Sequence, residues 1–160
     1  MRWIWIDRIM ALTPGERIET IKRISAAEDH LSLVADGPPI MPATLIIEGM
    51  AQTAGLLVGH ASQFREKVVL AKISRAQLDA DACAGDTLWY SASIVNRDDK
   101  GAATAGTVDL ERPGEPRRTI GQIDLIFSHL DASGAGLDLP EHNFVFGELF
   151  QTLLRTSGIT

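Results

Sequence analysis

The apolar residues of this chain are spaced in two different ways, and each spacing predicts a different kind of element. Residues 44–60 are mostly apolar, over a length that favours a helix over a strand. Gly49, Gly55 and Gly59 lie within this stretch, and each disfavours a helix by about 1 kcal/mol relative to alanine. We therefore predict a helix over about residues 44–60 that is buried on nearly all sides, because close packing would offset this cost.

Residues 66–130 alternate between apolar and polar positions in segments of about 8–12 residues. Turn signals separate the segments, among them AGD at 84–86 and RDDKG at 97–101. This pattern predicts an antiparallel meander rather than a series of βαβ units. Two shorter alternating segments, 17–25 and 29–34, are predicted as strands that precede the helix. The order of elements indicates an α+β fold in which one antiparallel sheet wraps around a single helix.

The end of the chain follows another pattern. Residues 131–140 are rich in glycine and end in proline, and after them apolar residues recur at steps of three and four. This recurrence predicts an amphipathic helix over residues 142–155. We expect its apolar stripe, with Phe146, Phe150 and Leu153, to be buried against the rest of the protein, since an exposed stripe would favour aggregation.

Length and charge limit the organisation and the partners of the protein. A chain of 160 residues can form one self-sufficient hydrophobic core but not two. We predict one domain over residues 1–130, and within residues 131–160 a glycine-rich connection and a C-terminal helix that packs on that domain. The chain has 15 basic and 21 acidic residues and a net charge of −6. This sign argues against a nucleic acid as partner.

The remaining composition excludes further classes. Cys83 is the single cysteine, so no disulfide can form within the chain and no zinc site of cysteines and histidines is expected. No other metal or cofactor is expected either. No stretch reaches the roughly 20 apolar residues that a membrane span requires, and the first residues do not form a signal peptide. We therefore expect a cytoplasmic location.

Residues 37–55 carry the candidate chemistry, because a proline-rich loop leads there into the predicted helix. Glu48 and Gln52 are four residues apart and share a helix face. The carboxyl of Glu48 lies among the apolar residues LIIEGMA, where it could donate or accept a proton. The N–H groups near Ala43, at the start of the helix, could polarise a carbonyl oxygen. These groups form half of an acid–base site for an acyl substrate. The alternative, which spacing alone favours, is a buried glutamate that only hydrogen-bonds to Gln52 or a nearby loop.

The sequence PIMPATLIIEGMAQTAG, at 39–55, resembles the helix motif of the bacterial β-hydroxyacyl-acyl-carrier-protein dehydratases of the FabZ/FabA type. The family pattern reads approximately P-V-M-P-G-x-L-I-I-E-A-x-A-Q. Residues 5–25 resemble the opening of the family, with D-R and P-G-x-x-I leading into K-x-x-S, and residues 70–90 resemble its strand motif with a following P-G-D-x-L. Three motifs in order make the resemblance specific, and it covers about residues 5–128.

The resemblance implies a hotdog fold, in which a curved antiparallel sheet holds a central helix. It also implies a dimer-based homo-oligomer with its sites at the subunit interface, and a role in fatty-acid biosynthesis. The substrate would be an acyl thioester on acyl carrier protein or coenzyme A, with the acyl chain in a tunnel beside the helix. By the same resemblance Glu48 is the acid, Gln52 its amide partner and Ala43 the backbone donor, next to Met41 and Pro42 in the substrate-binding loop.

One position departs from the family pattern. The catalytic histidine of G-H-F-P-G falls on Val34, and valine cannot transfer a proton. His30 would lie about 13 Å from that position in an extended strand. Asp36 lies in the correct loop and could serve as a base, although aspartate is more commonly a turn-forming residue there. Three functions therefore stay open: a dehydratase with another base, a catalytically impaired acyl-thioester-binding or regulatory subunit, and an acyl thioesterase.

Overall fold

The fold is built from two helices and six strands within the part of the chain that the structure describes. The structure is a computed structural model, and it describes residues 3–33, 36–130 and 147–159. The helices are α1 (Ala43–Ala61) and α2 (Glu148–Thr156), and the strands are β1 (Arg8–Thr13), β2 (Arg17–Arg23), β3 (Lys67–Leu78), β4 (Thr87–Asp98), β5 (Gly101–Glu111) and β6 (Arg118–Leu130).

The six strands form one antiparallel sheet in the order β1-β2-β4-β5-β6-β3. Helix α1 contacts β2, β3, β4, β5 and β6, so the sheet wraps around it. This arrangement is the hotdog fold, and the predicted fold class is confirmed. The helix, predicted over 44–60, is found over 43–61. Among the described residues, neither helix is long and apolar enough to cross a membrane.

Close packing explains one of the glycines in α1. A Cβ at Gly49 would lie 2.6 Å from both the Cζ and the hydroxyl oxygen of Tyr90, a distance at which atoms overlap. The Tyr90 side chain has no exposed surface and has little room to move. The family pattern has alanine where this chain has Gly49, so we conclude that Tyr90 and Gly49 fit each other as a pair. The opposite side of α1 is less enclosed, since Glu48 and Ala51 are only half-buried.

The segment 29–34, predicted as a strand, does not form one in its described part. Ser32 makes only an isolated antiparallel bridge to Ile40, and the Leu33 side chain is 88% exposed. The apolar alternation there does not mark a buried face, because the following prolines turn the chain toward α1 instead of into the sheet. The first strand of the fold is β1, which the sequence pattern did not reveal. It has a bulge between Ile9 and Ala11, which breaks the alternation.

The C-terminal helix α2 packs beside β1. Leu153 and Leu154 are 7% and 6% exposed, and the hydroxyl oxygen of Ser157 accepts a hydrogen bond of 3.1 Å from the N–H of Ile9. Phe150 is half-buried. The helix predicted over 142–155 is thus observed from Glu148 onward, while Phe146 and the rest of residues 131–146 lie outside the described residues. The division of the chain at residue 130 stays a prediction.

Candidate active site

A cavity of about 400 Å³ lies along the half-buried side of α1. Its size falls in the range of small-molecule sites. Its walls are mostly apolar and come from α1, from the segment before β1, from β3 and β6, and from α2. They are formed by Trp3, Glu48, Ala51, Gln52, Gly55, Val68, Val69, Leu70, Phe127 and Phe150. Glu48 is the only acidic residue among them, so any acid–base chemistry of the cavity walls depends on it.

The two oxygens of the Glu48 carboxylate have different surroundings. Oε1 accepts hydrogen bonds from Nε2 of Gln52 at 2.9 Å and from the indole N–H of Trp3 at 3.1 Å. No hydrogen bond from a described residue reaches Oε2. Because Oε1 already accepts two hydrogen bonds, Oε2 is the carboxylate oxygen with no described donor.

Gln52 connects helix α1 to the segment before β1 through hydrogen bonds to the backbone. Its Oε1 accepts a hydrogen bond of 2.8 Å from the backbone N–H of Trp5, and its Nε2 donates to the carbonyl oxygen of Trp3 at 3.4 Å as well as to Glu48. The residue is only 8% exposed. The hydrogen bond between Glu48 and Gln52 was the alternative reading of their spacing, and it is present. The same carboxylate nevertheless lines the cavity, so the bond orients Glu48 without removing it from a ligand's reach.

Trp3 is a site residue that the sequence reasoning missed. Its ring packs edge to face against that of Trp5 with centroids 5.3 Å apart, and its indole reaches Glu48 across 45 sequence positions. The alternation W-I-W-I before Asp7 was the available signal, since it places both tryptophans on one face of an extended segment. Nothing in that alternation shows which helix residue the face contacts.

Two of the loop residues predicted to bind substrate, Met41 and Ala43, lie at a different cavity. Met41 is 2% exposed, and its N–H donates to the carbonyl oxygen of Ala82 at 2.8 Å. Pro42 precedes the helix, and no described side chain caps the first turn. The N–H of Ala43 has no acceptor among the described residues. Met41 and Ala43 line a second cavity of about 390 Å³ together with Leu78 at the end of β3. Within one chain, Glu48 and Ala43 are therefore not brought to the same cavity.

The family model of the FabA-like domain matches residues 3–112. The chain belongs to the FabA-like domain family. A 3-hydroxyacyl-acyl-carrier-protein dehydratase FabZ from Solibacter usitatus is 35% identical over 111 residues, which cover 67% of this chain and 68% of that protein. A FabZ of the same description from Levilactobacillus brevis is 33% identical over 95 residues, which cover 59% of this chain and 64% of that protein. The match to the second relative thus spans less than two thirds of its length.

Solved structures share the fold at low identity. The dehydratase heterocomplex ApeI:P from Xenorhabdus doucetiae has a TM-score of 0.64 at 16% identity, over 81% of this chain and 84% of that one. A thioesterase family protein from Silicibacter pomeroyi has a TM-score of 0.57 at 17% identity, over 77% of this chain and 83% of that one. These likenesses support the hotdog fold of the FabA-like chain.

No base can be assigned at the Glu48 cavity from the described residues. Val34, which the motif places at the family's histidine, lies outside the described residues. No described histidine lines the Glu48 cavity. The ring of His30 packs edge to face on Trp5 with centroids 4.4 Å apart. Asp36 is exposed and has a φ of 60°, a left-handed backbone conformation that aspartate tolerates in turns. Asp36 lines neither cavity.

Proposed function

We propose that this chain binds a β-hydroxyacyl thioester in the Glu48 cavity and that Glu48 is its acid–base group. The observation that carries the proposal is the Glu48 carboxylate, which lines a mostly apolar cavity and whose Oε1 accepts hydrogen bonds from two N–H donors. The family and the FabZ dehydratases among the relatives support this substrate class. The acyl group would be carried by acyl carrier protein or coenzyme A. The reaction would be a lyase step of fatty-acid biosynthesis.

The proposed reaction removes water from the β-hydroxyacyl thioester and forms the trans-2-enoyl thioester. Glu48 donates the proton on Oε2 to the leaving hydroxyl as the Cβ–O bond breaks. A base removes a proton from Cα, and that electron pair forms the double bond. The thioester carbonyl becomes more negative during this step, and a free backbone N–H, such as that of Ala43 in a second copy of the chain, stabilises it.

The identity of the base separates this function from its main alternative. Elimination needs a base for the α-proton, and losing one of the two acid–base groups typically reduces the rate by about 10²–10⁴-fold. Val34 replaces the family's histidine by sequence, and no described histidine lines the cavity. This favours, as second candidate, an acyl-thioester-binding or regulatory subunit with little activity of its own. A thioesterase is the third candidate, since a solved thioesterase shares the fold.

The proposed function is tested with the pure protein and trans-2-enoyl thioesters of both carriers. We expect slow hydration in the wild type and a rate increased by about 10²-fold or more in Val34→His, because the histidine restores the missing base. Addition of water is followed by the loss of enoyl absorbance, and hydrolysis is followed in parallel by the release of free thiol. Hydration at ordinary enzymatic rates in the wild type would show that another group is the base. Thiol release without hydration would favour the thioesterase.

We propose that a homodimer completes the site through the edge of β3. Within the described part of the chain β3 pairs only with β6, so its other edge is open to a second copy. Val68, Val69 and Leu70 at the start of β3 line the Glu48 cavity, whereas Leu78 at its end lines the Ala43 cavity. Antiparallel pairing of β3 with its copy would bring the start of one strand beside the end of the other. The Glu48 of one protomer would then meet the Ala43 N–H of its partner.

The dimer is tested by placing a charge near the centre of β3. Ile73 is 45% exposed there, and Ile73→Lys would bring two like charges close together across the two-fold axis, which disfavours pairing. We expect a wild-type dimer and a larger monomer fraction in Ile73→Lys, as measured by light scattering after size exclusion. The matched control is Val95→Lys on β4, where Val95 is 70% exposed. A monomeric wild type, or equal dissociation in both variants, would contradict the β3 interface.

A further inference from the structure

The C-terminal helix α2 contributes a wall to the Glu48 cavity although it lies outside the family match. The FabA-like model ends at residue 112, and α2 begins at Glu148. Phe150 of α2 lines the same cavity as Glu48 and Gln52. Part of the cavity wall is therefore formed by a helix that lies beyond the residues that the family model matches.

The packing of α2 fixes the position of Phe150. Leu153 and Leu154, three and four residues further along the helix, lie on the same face and are buried. One turn beyond, the Ser157 hydroxyl oxygen accepts the hydrogen bond from the N–H of Ile9 on β1. Apolar packing and a hydrogen bond thus hold α2 against the rest of the fold, and this places the Phe150 ring in the cavity wall.

Phe150 and Glu48 line one cavity, so an acyl chain that fills the cavity from Glu48 meets the Phe150 ring. Under the proposed function, the reacting carbons of a bound thioester lie at Glu48, because it is the acidic residue among those that line the cavity. Gly55 is seven residues further along α1, which is about 10 Å along the helix axis. The rest of the acyl chain must extend between the apolar walls formed by Gly55, Val68, Phe127 and Phe150.

We propose that Phe150 limits the length of the acyl chain that the cavity admits, so that α2 is a specificity element beyond the residues that the family model matches. This inference rests on the proposed binding of acyl thioesters. Removing the ring enlarges the cavity and favours longer chains, whereas a larger ring favours shorter chains. One methylene that fits or fails to fit an apolar pocket typically changes selectivity by about 10–200-fold.

The test measures binding, so that it does not depend on catalysis. Straight-chain acyl groups from butanoyl to tetradecanoyl are attached to a pantetheine analogue through an amide in place of the thioester, which resists hydrolysis, and their affinities are measured by titration calorimetry. We expect Phe150→Ala to shift the preferred length upward and Phe150→Trp to shift it downward, with affinity ratios of long to short chains changed by about 10-fold or more. Gln151→Ala is the control, since Gln151 is exposed on the same helix and does not line the cavity.

The outcomes separate this inference from the proposed function. An unchanged length preference in both variants, with binding retained, would overturn the role of Phe150 and leave the acyl-binding function intact. Equal loss of affinity at every length would likewise overturn it, because α2 would then only stabilise the fold. Failure of the wild type to bind any of the acyl compounds would overturn both. Phe150→Trp keeps an aromatic side chain, so the comparison survives even if Phe150→Ala loosens α2.

Discussion

Replacing Glu48 with glutamine is expected to lower the hydration of enoyl thioesters by about 10²–10⁴-fold, because an amide cannot transfer the required proton. Glutamine has nearly the same shape, and its side-chain oxygen can still accept the hydrogen bonds from Trp3 and Gln52. The acyl binding surface should therefore persist, so that kcat falls while KM changes little. The measurement is made in the wild type and in Val34→His, where the higher rate makes the loss easier to follow.

A second glutamate provides a matched control for this substitution. Glu111 Oε2 accepts a hydrogen bond of 2.6 Å from the indole N–H of Trp89, the same kind of contact that Trp3 makes with Glu48. Glu111 is exposed and does not line the cavity, so Glu111→Gln should leave the rates unchanged. Full activity in Glu48→Gln would mean that another group donates the proton. Similar losses in both variants would mean that the effect is not specific to the cavity.

The elements that could be predicted from the sequence are those with a long and regular pattern. Helix α1 is 19 residues long and mostly apolar, and β4, β5 and β6 alternate over 11 to 13 residues between clear turns. Strand β1 has only six residues, of which Ile9 alone is buried, so no periodicity marks it. The sequence pattern therefore predicts an element well where buried and exposed positions recur many times along it.

The candidate site was predictable only as far as it lies within one helix. The spacing of Glu48 and Gln52 indicates a shared face, and the structure places both at one cavity. Trp3 and Phe150 join that cavity from the two ends of the chain, through contacts that sequence spacing does not encode. Met41 and Ala43 lie one turn or more before Glu48, yet the hydrogen bond from Met41 to Ala82 turns their loop toward the other cavity.

The loop that leads into α1 depends on an ion pair of the buried Asp86 in the AGD turn with the partly exposed Arg112. Asp86 is 3% exposed and accepts hydrogen bonds from Nε and Nη2 of Arg112 at 3.0 and 2.9 Å and from the N–H of Cys83 at 2.9 Å. The neighbouring Ala84 N–H donates to the carbonyl oxygen of Pro39 at 3.1 Å, so the turn holds the proline loop. Burial by itself would raise the pKa of Asp86, but the hydrogen bonds from Arg112 and Cys83 outweigh it, and the pKa is lowered.

Because the pKa of Asp86 is lowered in the folded protein, the stability of the fold depends on pH. A carboxyl whose pKa is lower in the folded than in the unfolded state stabilises the fold above its unfolded pKa of about 3.9, and this contribution is lost as the pH falls through the folded pKa. Asp86→Asn should therefore lower the free energy of unfolding at pH 7 by about 2 kcal/mol. This is the magnitude for losing hydrogen bonds to a charged group and not that for a fully buried pair, because Arg112 keeps 35% of its side chain exposed.

Urea denaturation at neutral and at acidic pH measures both parts of the effect. The difference in unfolding free energy between wild type and Asp86→Asn should shrink as the pH falls below the unfolded pKa, since protonated aspartic acid loses the ion pair as well. Asp86→Asn combined with Arg112→Gln should recover part of the loss, because no unpaired charge remains beside the turn. Asp99→Asn, in the exposed turn between β4 and β5, should change little. A loss in Asp86→Asn that is the same at every pH would show that the turn depends on the shape of Asp86 and not on its charge.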